Sequence, residues 1–205
     1  MDNSQNYIIR ARNFPIKEVR KLKEEFIEAK PFPNLSIKNF LKDHKLLFEA
    51  IKKEQFYKKD SDLFSFSQTN NLFYSKNPIM QSAVKLFSSQ TFSSLISTIS
   101  GIKLKPGALD VFGSLYEKTG YLLCHDDRVE DRKIAFILYL STLAEKDGGA
   151  LALYSNKGKH PYQKISSYSP IENSLFIFQV SNISWHEVEE VISNKKRYAI
   201  GGWLH

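Results

Sequence analysis

Histidine, aspartate and arginine occur in this chain in an order that suits metal chemistry. His125-Asp126-Asp127 is followed far downstream by His186 and then by Arg197. Side chains alternate faces along an extended strand, so His125 and Asp127 should point one way and Asp126 the other. With His186 added, two imidazoles and one carboxylate could share a metal ion. That facial set holds Fe(II) and leaves the remaining coordination positions open for substrate and oxygen. Arg197 adds an always-charged fork able to grip the far carboxylate of a dicarboxylic cosubstrate.

Each part is weak alone, since a histidine two residues from an acid is common and His186 beside Trp185 could be a core histidine. The ordered set is stronger. Alternation on the last strand puts Arg197, Ala199, Gly201 and Trp203 on one face, where Ala199 and Gly201 leave room for a diacid. The spacing of eleven from His186 to Arg197 allows a turn through Ser193-Asn194 and return in a neighbouring strand. Tyr139, on the face of Ala135 and Ile137, could donate its hydroxyl to the carboxylate that Arg197 holds. Tyr116 could reach the metal-side carboxylate, or serve as a core aromatic whose hydroxyl finds another partner. His44, His160 and His205 have no such company and read as surface residues. The pattern predicts a 2-oxoglutarate-dependent oxygenase.

Positioning these groups falls to two regimes of sequence. Ile16 to Lys30 carries Val19, Leu22, Phe26 and Ile27 at helical spacing. Pro31-Phe32-Pro33 ends that helix and opens an extended piece through Ile37. Asp43 is expected to cap a second helix carrying Leu46, Leu47, Ala50 and Ile51. Asn77-Pro78 opens a third with Met80, Ala83, Val84 and Phe87, followed by a turn or two through Leu95, Ile96 and Ile99 to Gly101. Phe56 to Tyr74, dotted with Phe64, Phe66, Phe73 and Tyr74, fits either a substrate-covering loop or a strand pair with inward aromatics.

From Leu109 the pattern turns to short β-rich runs: 109–116, 121–125, 133–141, 150–154, 174–180, 184–188 and 196–204. Turn signals stand at Thr119-Gly120, Gly148-Gly149 and Glu172-Asn173. The run Ile134–Leu140 is apolar on both faces, which predicts a central strand covered by helices on one side and barrel contents on the other. The expected fold is α+β: one domain over 1–205, with a mainly helical part at 1–108 and a double-stranded β-helix, or jelly roll, at 109–205.

Composition agrees with a globular domain, at 42% hydrophobic and 25% charged residues. No apolar run approaches a membrane span, and Met1 to Phe14 lacks the apolar core of a secretion signal. Cys124 is the single cysteine, so no internal disulfide can form and a cytoplasmic setting is expected. Alternation turns it away from His125, and it reads as a buried apolar filler. The net charge of +7 could favour nucleic acid, ribosomes or acidic partners. No arginine-rich stripe with interleaved aromatics appears, so a solvated lysine surface is the plainer reading and direct nucleic-acid binding is not expected.

At these residues the chain resembles the prolyl hydroxylases of the Fe(II)/2-oxoglutarate class, nearest the ribosomal-protein branch. The likeness is carried by Pro31–Asn34, Asp62–Phe64, Leu122–Asp127, Ile134–Leu140, Gly148-Gly149 and Arg197–Trp203. It implies Fe(II) at His125, Asp127 and His186, with 2-oxoglutarate at Arg197, Tyr139 and Tyr116. It further implies O2 as cosubstrate, ascorbate as a candidate auxiliary, and a proline-containing protein or peptide, ribosomal or a translation factor, as substrate. Eukaryotic members of that branch carry a second, degenerate barrel, whereas a single barrel is expected here. The alternatives are a hydroxylase of free proline or another small amino acid, and a catalytically silent jelly roll that binds a protein. A nucleic-acid demethylase ranks lower, because such relatives place a second arginine where Trp203 stands.

Overall fold

Among the described residues of the computed structural model, 10–129 and 131–205, the chain forms four α-helices and eleven strands. The reading of the first fourteen residues as a polar segment falls mostly outside them. Helix α1 (Ile16–Glu28) buries Leu22 and Phe26 at i, i+4 spacing, while Ile27, one position round the helix, is exposed. Strand β1 (Asn34–Ile37) follows the prolines. In α2 (His44–Ile51) Leu47, Ala50 and Ile51 are buried, but Leu46 is exposed. Asp43 stands at the cap position without making a capping bond, a correction to the expected role.

Helix α3 (Pro78–Phe87) starts as expected. Asn77 Oδ1 accepts from the N–H groups of Ile79 and Met80, and Pro78 occupies the first turn, where its missing N–H costs nothing. The segment after it is no mere extra turn. It is a separate helix, α4 (Gln90–Ser100), because the Ser89 hydroxyl accepts from Phe92 N–H and restarts the spiral. Gly101 ends it with φ +74°. Phe40, Phe87, Phe92 and Phe136 meet edge-on or tilted where these helices cover the sheet. Each such ring contributes about 1.5–3 kcal/mol by leaving water.

Phe56 to Tyr74 resolves into a hairpin, β2 (Phe56–Ser61) with β3 (Phe64–Thr69), ending in a short 3₁₀ turn where Phe73 and Tyr74 are exposed. The strands β4 (Leu109–Tyr116), β5 (Tyr121–His125), β6 (Ile134–Tyr139), β7 (Leu151–Lys157), β8 (His160–Tyr168), β9 (Ser174–Gln179), β10 (His186–Val188) and β11 (Arg197–Leu204) complete the fold. They run β1-β9-β6-β11-β4 along one side and β5-β10-β7-β8 along the other, all antiparallel, with β3 bonded to both β4 and β5. The chain thus steps repeatedly between two faces of a curled sheet, the topology of a jelly roll. Strand β6 is central, with Ile134, Phe136 and Leu138 against the helices and Ala135 and Tyr139 facing the interior.

Two expectations are corrected. Strand β8 was invisible in the apolar pattern because it is an edge strand with a mostly exposed, polar surface that includes Pro161 and Lys164. Strands β10 and β11 are not neighbours, since β4, β3 and β5 lie between them in the sheet order. Arg197 therefore approaches His186 across the barrel interior.

Candidate metal and cosubstrate site

His125 ends β5 and His186 begins β10, and the two are directly paired across these strands. Cross-strand partners share a face, so their rings meet with centroids 4.2 Å apart. A register irregularity follows at once, between His186 and Val188, of the kind that re-aims side chains next to functional sites. Each Nδ1 lies 2.8 Å from a backbone carbonyl two residues upstream, Leu123 O for His125 and Ser184 O for His186. An Nδ1–H donating there leaves the Nε2 lone pair to face the cavity.

Asp127 reaches the same point by a different route from the one expected. The strand stops at His125, and Asp127 adopts φ +62°, a left-handed conformation that costs an L-residue about 1–2 kcal/mol. From there Oδ1 stands 3.4 Å from His125 Nε2 and Oδ2 3.4 Å from His186 Nε2. Asp126 points outward and pairs with Arg128 Nε at 2.8 Å. Burial pushes the Asp127 carboxyl up, but the two histidines outweigh it and hold it well below the usual carboxylate range. Burial pulls the His125 imidazole down, and the Asp127 bond and charge more than reverse that.

The donor atoms of His125, Asp127 and His186 all lie within 4.8 Å of one another. Donors about 2.1 Å from a common ion and at right angles stand about 3 Å apart, so small side-chain adjustments suffice. The set is two imidazoles and one carboxylate with no fourth donor among the described residues, which fits Fe(II) with open positions.

Arg197 and Tyr139 are almost fully buried, at 1% exposure each. Arg197 Nε donates to Gly149 O at 2.9 Å, while Arg197 Nη2 and Tyr139 Oη have no partner among the described residues. A buried cation and a buried hydroxyl left without acceptors cost a few kcal/mol until a ligand supplies them. A carboxylate fits both. The guanidinium carbon is 5.0 Å from the Tyr139 ring centre and 4.9 Å from that of Tyr116. Burial raises both phenols above their ordinary range, with the Arg197 charge working against it, so both stay protonated donors. Tyr116 is directly opposite Arg197 in the β4–β11 ladder and stacks on Phe66 at 4.9 Å.

Gly148 and Gly149 build the turn that aims Arg197. Both have positive φ, +71° and +73°, and a Cβ on Gly148 would fall 2.0 Å from Glu190 O.

The three donors, Arg197 and Tyr116 line one cavity of about 420 Å³, an ordinary size for a small-molecule site. His125, Asp127, His186, Arg197 and Tyr116 are on its wall, with Gly201 leaving space and Phe66, Phe112 and Phe178 forming apolar sides. A larger groove of about 1500 Å³ between α1 and the α3–α4 pair has no histidine, cysteine or acid among its described lining residues.

Arg132 escaped the sequence reading. Its guanidinium lies 3.4 Å above the Trp203 ring, and Arg132 Nε and Trp203 Nε1 are both buried at the cavity without partners among the described residues. Arg132 lies in a loop before β6, where no periodicity marks it. Cys124 is half-buried on the far side of β5 from the metal cluster, so the filler reading holds only in part. His44 and His205 contact Glu172 and Asp110 away from the site, and His160 is exposed.

The sequence model of the 2OG-Fe(II) oxygenase superfamily matches residues 111–205. Prolyl 3-hydroxylase OGFOD1 of Mus musculus is 38% identical over 186 residues, covering 87% of this chain and 34% of its own length. Prolyl 3,4-dihydroxylase OGFOD1 of Ostreococcus tauri is 30% identical over 208 residues, covering 91% and 40%. The chain thus spans little more than a third of these relatives. In fold it is similar to a Pseudomonas putida prolyl-4-hydroxylase, with TM-score 0.71 and 15% identity over 91% of this chain and 98% of that one. The Trichoplax adhaerens prolyl hydroxylase, solved with a hypoxia inducible factor peptide, gives 0.70 and 19% over 92% and 91%. With the donor set in place at the mouth of a jelly roll, residues 111–205 form a 2OG-Fe(II) oxygenase domain.

Proposed function

We propose that this protein hydroxylates a prolyl residue of a protein or peptide, using Fe(II), 2-oxoglutarate and O2. One observation carries the reading. A three-donor cluster opens onto the cavity whose wall includes Arg197, buried with an unsatisfied Nη2 and backed by the equally unsatisfied Tyr139 hydroxyl. The curated relatives named prolyl hydroxylases support the substrate class, and a ribosomal or translation-factor protein is the first target to test.

When bound, Fe(II) with 2-oxoglutarate activates O2 for hydroxylation while the cosubstrate is converted to succinate and CO2. His125 and His186 Nε2 and an Asp127 oxygen would hold the ion, leaving its other positions to cosubstrate and oxygen. Arg197 and Tyr139 would donate to the far carboxylate of 2-oxoglutarate, Arg197 kept on aim by Gly149 O. Tyr116 would close the wall beside them. Phe66, Phe112 and Phe178 keep water from the reacting end. Arg132 Nε and Trp203 Nε1 offer unspent donors to a substrate carbonyl or carboxylate.

The test is to incubate the Fe(II)-loaded protein with 2-oxoglutarate and ribosomal or elongation-factor fractions, with free proline as a parallel sample. A one-oxygen mass gain on a peptidyl proline with matching succinate supports the proposal. Gain on free proline alone moves the activity to small amino acids. Succinate formed with neither substrate class modified contradicts the prolyl assignment.

A further inference from the structure

Asp127 lies outside the ladder that aligns the two histidines. The last β5–β10 pair toward it is His125 with His186, and Asp127 has left the strand for a left-handed conformation. Its position depends on the peptide plane between Asp126 and Asp127, which a terminal loop does not fix by itself. The contacts Asp126 makes with Arg128 are local and exposed. A contact from outside the loop can hold that plane.

Ser184 does so. It is fully buried just ahead of β10, and its hydroxyl lies 3.1 Å from the Asp126 carbonyl, the oxygen of that same peptide plane. The single hydroxyl proton is shared between Asp126 O and Ser181 O, the latter at 2.8 Å, while the oxygen accepts from Ser181 N–H at 2.9 Å, which closes the turn leading into β10. Its own backbone carbonyl is the acceptor for His186 Nδ1 at 2.8 Å. One residue therefore touches both metal-facing segments: the carbonyl sets the tautomer and ring orientation of His186, and the hydroxyl ties down the peptide that presents Asp127. The two segments are 58 positions apart in sequence, so no local turn could couple them.

We propose that Ser184 is a positioning residue that joins the His186 turn to the Asp127 loop and thereby sets the spacing of the three donors. This rests on the reading that His125, Asp127 and His186 hold a divalent metal. Groups one bond removed from metal ligands typically alter affinity by about 10- to 100-fold when lost, because the ligand then has to be ordered on binding. The backbone carbonyl survives substitution of the side chain. Removing the hydroxyl should leave His186 oriented and release Asp127.

The experiment titrates Co(II) into the metal-free protein, following ligand-field absorption, beside the thermal midpoint of the metal-free protein. Wild type, Ser184→Ala and Ser181→Ala are compared. Ser181→Ala removes the Ser181 hydroxyl bond to Ile183 N–H within the same turn and leaves the link to Asp126 intact. The expected result is about tenfold weaker Co(II) binding with an altered absorption band in Ser184→Ala, and near wild-type binding in Ser181→Ala. Wild-type affinity in Ser184→Ala, or equal weakening in both variants, overturns the proposal while the metal reading stands. No Co(II) binding by wild type overturns the metal reading and this proposal with it. Should Ser184→Ala not fold, Ser184→Cys preserves the volume, gives up most of the hydrogen bond, and is read in the same way.

Discussion

Asp127 Oδ1 stands 3.4 Å from His125 Nε2, yet the two residues do not belong to one strand: β5 ends at His125, and Asp127 makes its approach with φ +62°. The i, i+2 alternation that suggests their convergence is thus not what produces it. Cross-strand pairing brings His125 to His186, and a left-handed residue swings the carboxylate between them. Aspartate tolerates that backbone better than most residues, so one side chain supplies both the ligand and the conformation.

Replacing Arg197 by lysine keeps the charge and loses the fork. Lysine cannot bond Gly149 O and present paired donors to a carboxylate at once. Isothermal titration should find 2-oxoglutarate bound roughly 10- to 100-fold more weakly, equivalent to about 1.5–3 kcal/mol for charge-assisted bonds, with metal affinity retained. Parallel loss of metal would indicate general collapse of the site.

Tyr139→Phe separates a cosubstrate role from a structural one. The hydroxyl has no partner among the described residues, so its removal should leave the thermal midpoint of the metal-free protein unchanged or slightly higher. Affinity for 2-oxoglutarate should fall about five- to tenfold, the worth of one hydrogen bond of about 1 kcal/mol. A large drop in midpoint with unchanged cosubstrate binding would assign the hydroxyl to the fold.

Gly148→Ala would force a Cβ against Glu190 O in a backbone with φ +71°. Strain and overpacking together should cost about 1–3 kcal/mol or more in urea denaturation. Unchanged stability would mean that the turn behind Arg197 has more slack than its geometry allows.

Cys124 gives a pH-dependent signature. Burial, then the nearby Glu187 and Asp126 charges, push its thiol up from 9.0 to about 12. Only the thiolate reacts, and the higher-pKa thiolate is the stronger nucleophile, so at pH 8 the folded protein should be alkylated on the order of tenfold to a hundredfold more slowly than the denatured chain. Between pH 7 and 10 the folded rate should keep rising about tenfold per unit, whereas the denatured rate levels off above pH 9. Equal rates at pH 8 would contradict the assigned environment.

Much of this was legible in residue order. Helices α1 to α3 were visible because their buried positions repeat with the helical period, and β6 because both of its faces are apolar. Strand β8 was not, since an exposed edge strand needs no apolar pattern. Nor was the placement of β10 and β11 on opposite sides of the barrel, a long-range pairing that spacing alone does not encode. His125, Asp127, His186 and Arg197 stood out because metal and carboxylate chemistry restrict residue type. Arg132 and Ser184 did not, because their roles come from a ring and a carbonyl brought near only by folding.

The central claim is that two imidazoles and one carboxylate share a single ion, and anaerobic Fe(II) binding to wild type and Asp127→Ala tests it most directly. The account predicts one ion per chain in wild type and an affinity lowered by more than about 100-fold in the variant, beyond the effect of losing an outer group. Fe(II) bound equally well by Asp127→Ala would contradict it.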